Sequence, residues 1–130
     1  MRKKDWPKRL SEYLVSVKDK EFQYGEYDCC IFSAGGIKAV NGEDLMEGIR
    51  GTYSSKKESK TVLKRLEGTL LQFLKKKLGK PVNGARGQRG DIGWYNGACG
   101  IIIGRQAVFI TEDGDGFVAI SKLKWAFRVK

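Results

Sequence analysis

The hydrophobic period changes once along this chain, and that change limits the folds open to it. Over roughly the first 80 residues apolar side chains recur at helical spacing. Trp6, Leu10, Tyr13, Leu14 and Val17 form one stripe. After a loop, Asp28 is suited to cap a second helix, because its carboxylate can accept the free backbone N–H groups of a first turn. Ile31, Phe32, Ala34, Ile37 and Val40 supply that helix's buried face, and Asn41-Gly42 ends it. Gly35-Gly36 inside the same helix costs about 2 kcal/mol relative to alanine, which implies that another backbone passes close by. Ser55 and Glu58 have the spacing of a capping box for a third helix, with Val62, Leu63 and Leu66 turned inward. Leu70, Leu71, Phe73, Leu74 and Leu78 continue as a further helical segment until Gly79-Lys80-Pro81.

From Gly87 onward the period shortens. Asp91 to Tyr95, Cys99 to Gly104, Gln106 to Thr111 and Phe117 to Ile120 are strand-like runs separated by glycine-rich turns. Asn96-Gly97 and Asp113-Gly114-Asp115-Gly116 are hairpin signals. The second lacks the further spaced oxygens and distal glutamate of a calcium-binding EF-hand loop. Helices followed by strands imply an α+β fold with a small antiparallel sheet. The expected organisation is one domain over 1–130, helical to about 80 and sheet from about 87.

The chain has 130 residues, 41% of them hydrophobic and 11% aromatic, which suffices for one core without covalent staples. No apolar run approaches the roughly 18 residues of a membrane span. The basic start is not followed by an apolar segment of signal-peptide type, so synthesis and folding in a cytosol are expected. Cys29, Cys30 and Cys99 are too few for a disulfide framework. With no histidine and no CxxC, no metal or cofactor is expected, and Cys30 and Cys99 read as core filling. Cys29 and Cys30 are offset by about 100° on a helix, which argues against their facing one site.

Charge is the other constraint. Twenty-five Lys and Arg against fifteen Asp and Glu give a net +10. Much of the excess lies between Lys56 and Arg89, opposed there only by Glu58 and Glu67. Such a field suits acidic partners: an acidic protein surface, anionic cell-wall polymers or nucleic acid. Solvated faces of two helices are the preferred account of it, because no nucleic-acid motif accompanies the charge.

Tyr24-Gly25, then Asp28-Cys29 opening a helix, then Gly90-Asp91-Ile92 and Gly100-Ile101-Ile102-Ile103-Gly104 resemble the pattern of the NlpC family. Those are papain-like cysteine peptidases of cell-wall peptides. Trp6, Phe22, Gly42, Asp44, Arg50-Gly51, Tyr53 and the closing Trp125 to Val129 extend the resemblance, more specifically to a diverged NlpC branch of tailed-phage and prophage proteins. The resemblance spans nearly the whole chain. It implies a papain-like fold, a nucleophile position at Cys29, and Tyr24, Asp28 and Asp91 as groove-lining residues.

A thiol at a helix N-terminus is activated by unpaired amides and the macrodipole. Peptide cleavage also needs a group that takes the thiol proton and returns it to the leaving amine. The resemblance places that histidine at the start of the Gly100 strand, on Ala98. Two functions follow as expectations. One is a virion component at the tail tip or hub, assembled in the host cytoplasm with acidic tail proteins as partners and no catalysis. The alternative is a peptidoglycan-cleaving peptidase or amidase using Cys29 with a base other than histidine.

Overall fold

The computed structural model describes residues 1–66 and 68–130. Its elements run α1 (Trp6–Val17), α2 (Cys29–Asn41), α3 (Lys56–Leu66), α4 (Leu70–Leu78), β1 (Val82–Asn83), β2 (Ile92–Tyr95), β3 (Ala98–Ile102), β4 (Gln106–Thr111), β5 (Gly114–Ala119) and β6 (Trp125–Phe127). The strands form a six-stranded sheet in the order β1-β6-β2-β3-β4-β5, with antiparallel neighbours throughout. The protein is α+β, with the helices first and the sheet after them. No helix among the described residues is long and apolar enough to cross a membrane.

The sheet has a core on each face. On one side α1 and α2 bury Leu10, Phe32, Ile37 and Val40 against Ile92, Ile101 and Phe127. On the other, Ile102, Ala107, Phe109, Leu123 and Ala126 form a smaller cluster. Strand alternation separates them: Cys99 and Ile101 belong to the larger core, Ala98 and Ile102 to the smaller.

The capping chemistry works as read, with one change of partner. Asp28 accepts from Ile31 N at 3.0 Å, and Gly42 closes α2 in the left-handed region at φ 87°. Ser55 Oγ accepts from Glu58 N at 3.1 Å. The Glu58 carboxylate reaches Ser54 rather than Ser55, accepting from its N at 2.9 Å and its Oγ at 2.8 Å. Glu67, the other acid expected to oppose the basic segment, lies outside the described residues.

Three expectations are corrected, and two strands are added. The close approach at Gly35-Gly36 is made by side chains, not by a backbone. A Cβ at Gly35 would sit 2.2 Å from Tyr13 Oη, and one at Gly36 would sit 2.5 Å from Ile101 Cδ1. Leu66 is 46% exposed, and α3 has no fully buried residue. The turn between β4 and β5 is only Glu112-Asp113, since Thr111 pairs with Gly114 and the following residues continue β5. Finally β1 and β6, which carry no alternation signal of their own, are held by pairing with each other and with β2.

Asp91 fixes where the chain ends meet. It is 1% exposed and accepts from Arg2 Nη2 at 2.8 Å, Val129 N at 3.1 Å and Gln88 N at 2.9 Å. Arg2 also donates to the carbonyls of Val129 and Arg89 and lies over the Trp6 ring. A buried carboxylate is tolerable only with such saturation. This is a fastener, and it does not line the cleft described next.

Candidate functional site

The site begins with one buried aspartate. Asp28 Oδ2 accepts from Gly25 N at 3.0 Å and from the Tyr53 hydroxyl, while Oδ1 accepts from Ile31 N at 3.0 Å. One carboxylate therefore joins three segments: the turn before α2, the first turn of α2, and the loop before α3. Burial and this bond push the Tyr53 phenol far above its ordinary pKa. Gly25 is required here. Its φ is +84°, and a Cβ would lie 1.8 Å from the Tyr53 carbonyl oxygen.

With Asp28 as cap, Cys29 and Cys30 are the first two residues of α2. Cys99 comes from β3 and donates its thiol to the Cys29 carbonyl at 3.6 Å. The sulfur atoms of Cys29, Cys30 and Cys99 all lie within 4.8 Å of one another. This corrects the expectation that Cys29 and Cys30 cannot share a site, while Cys99 is buried in the larger core and Cys30 packs against it, as core filling requires. Two side chains about 100° apart on a helix can still both reach one residue packed against that helix, and here Cys99 of β3 is that residue. All three cysteines are free thiols.

The cluster polarises its members. Cys30 and Cys99 hold the Cys29 thiol well below its ordinary pKa, despite its burial. The Cys30 and Cys99 thiols are both pushed well above theirs, first by Cys29. Cys29 is therefore the most acidic of the three thiols.

Above the cluster opens a cleft of about 790 Å³. Cys29, Cys30, Tyr24 and Asp28 line it, as do the apolar side chains of Phe22, Leu63, Leu71 and Trp94. Lys56, Lys60 and Lys64 of α3 stand along one wall, and Glu112 and Asp113 lie at the β4–β5 turn. The volume and apolar walls with a few polar groups are those of a small-ligand or peptide-segment pocket.

Of the residues singled out from sequence, Cys29, Ala98, Tyr24 and Asp28 meet at this cleft; Asp91 does not. Ala98 lines the cleft at the first position of β3, yet it packs on the smaller core. The side chain from β3 that reaches Cys29 is Cys99. Tyr24 bears on Glu112: burial, then a hydrogen bond to that carboxylate, raises the phenol to about 12. A phenol so shifted stays protonated at neutral pH and cannot act as a base. Among the described residues no carboxylate, amine or phenol has a hydrogen bond to the Cys29 sulfur. Sequence reasoning missed Cys30, Cys99 and Glu112. The available signal for Cys99 was its place beside Ala98 at the start of a strand already matched opposite the Cys29 helix.

A family model described as a domain of unknown function (DUF6950) matches residues 1–129. The chain belongs to that family. No curated protein and no solved structure matches it.

Proposed function

We propose that this chain is a non-hydrolytic structural component of a phage tail, a degenerate NlpC-like, papain-like domain whose cleft holds a partner segment instead of cutting one. One observation carries the loss of catalysis: the side chains that meet the Cys29 thiol are two other thiols. Amide cleavage needs a proton delivered to the leaving nitrogen. Thiols whose pKa is raised, as at Cys30 and Cys99, are poor donors for that step at neutral pH. What remains is a receptor: an apolar cleft beside a lysine-bearing helix. The partner that suits it is an acidic protein segment with a few apolar anchors, as another tail protein could present. Nucleic acid is disfavoured, because the cleft is apolar where a backbone-tracking groove would be basic throughout.

The depressed Cys29 thiol is the one observation that favours the alternative, a peptidoglycan peptidase. Incubation of the purified chain with peptidoglycan separates the two readings. The expected result is no released peptide fragment, together with the chain's presence in purified tails and defective tails when it is deleted. Release of muropeptides that Cys29→Ser abolishes would establish the peptidase instead.

A further inference from the structure

The convergence of three thiols at the floor of the cleft has a use that neither assembly nor hydrolysis calls for. Core filling asks only that small side chains fit; it does not ask that their sulfurs meet. Here all three lie within 4.8 Å of one another. Two of them, the half-buried Cys29 and Cys30, also line the open cleft. A tetrahedral ion with metal–sulfur bonds of about 2.3 Å separates its thiolates by about 3.8 Å, so small χ1 rotations would close the cluster around one ion.

We propose that Cys29, Cys30 and Cys99 form a trithiolate site for a single thiophilic d10 cation, of which zinc is the common biological member. Three sulfur donors with no imidazole or carboxylate among them select soft ions over magnesium or calcium. Lys56, Lys60 and Lys64 of α3 line the same cleft and supply positive charge opposite the thiolates.

A second observation supports the site. Ser33, one turn along α2, is buried at 2% exposure, and its hydroxyl lies against the Cys99 thiol without completing a well-formed hydrogen bond. It borders the same small void as Cys30 and Cys99. A metal-bound thiolate is a stronger acceptor than a thiol, and the Ser33 hydroxyl would complete its bond there. The fourth coordination position falls on the cleft side, where Cys29 and Cys30 are open, so water or a ligand in the cleft would complete the tetrahedron. The site is independent of whether the cleft serves a tail.

The test is titration of the full, reduced chain with cadmium ion under anaerobic conditions, followed by the ultraviolet thiolate-to-cadmium charge-transfer absorption. The expected result is saturation at one equivalent, with zinc competing for the same site. Cys29→Ser and Cys30→Ser should each weaken binding at least tenfold while the far-ultraviolet circular dichroism is unchanged. Cys99→Ala should do the same, and if that fully buried position disturbs folding, the two cleft-side variants decide. Absence of saturable absorption, or undiminished binding in the folded Cys29 and Cys30 variants, would overturn the assignment. Neither result bears on the peptidoglycan assay, so this site and the tail reading fail separately.

Discussion

Helices α2 and α3 both contribute to the same cleft, and they could hardly be more differently placed. In α2 seven of thirteen residues are buried, including a serine and a glycine. In α3 none of the eleven is, although its apolar side chains Val62 and Leu63 face the cleft. A helix enclosed by α1, β3 and β4 cannot move without opening the core. A helix that rests on a rim by the half-buried Val62 and Leu63 can open locally at little free-energy cost. The thiols thus stand on the fixed wall and the lysines on the adjustable one. That division suits a receptor: the floor keeps its geometry while the basic wall adapts to what enters.

The sharpest way to break this contrast is Gly25→Ala, at the turn that sets α2. A methyl group cannot occupy space 1.8 Å from the Tyr53 carbonyl oxygen with φ at +84°. Loss of about 4 kcal/mol or more is expected, read as a large fall in the urea midpoint or as failure to fold. Next comes Ile37→Ala in the middle of α2, 1% exposed, expected to cost about 2–5 kcal/mol by urea denaturation. The matching change on the other wall, Leu63→Ala, should cost less than about 1.5 kcal/mol, because that side chain is only half-buried. Equal losses at Ile37 and Leu63 would erase the distinction between the walls.

The smallest effect is expected between the two helices, where Asp44 and Arg50 pair at 3.1 Å through both guanidinium nitrogens. The Arg50 guanidinium holds the Asp44 carboxyl below its ordinary 3.8. The folded value being the lower one, the pair's stabilisation is complete above the unfolded pKa and is lost as pH falls through the folded one. Half-exposed as it is, the pair is worth under about 1 kcal/mol. Urea midpoints of the wild type and Asp44→Asn should therefore differ at pH 7 and converge as the pH falls through the folded carboxyl's lowered pKa. A difference that persisted in acid would mean that Asp44 acts through its turn, where it accepts from Met46 N, instead of through charge.

Sequence patterning was a good guide wherever a local rule sets the outcome. Asp28 as cap, Gly42 as stop and Asn96-Gly97 as a tight turn are each decided by a few neighbouring atoms, and each stands as read. Reading failed where the partner was distant. Nothing near Gly35 in the chain announces that Tyr13 needs its space, and nothing near Trp125 announces pairing with Asn83 and Trp94. Asp91 read as a groove residue because its motif is shared with a strand that enters one. Its real partners, Arg2 and Val129, lie at the two ends of the chain.

By itself, then, the order of residues determined the helices-then-sheet composition, the helix that begins at Cys29, the missing histidine and the positive charge of the α3–α4 segment. These follow from periodicity, capping and counting, which act over a few residues. Only the tertiary structure decided that Cys99 meets Cys29 and Cys30, that an apolar cleft opens over them, and that Asp91 is a fastener. Those arrangements join residues about 70 to 130 positions apart. They depend on sheet register and on which helix face the core accepts, and both are settled by packing of the whole chain at once.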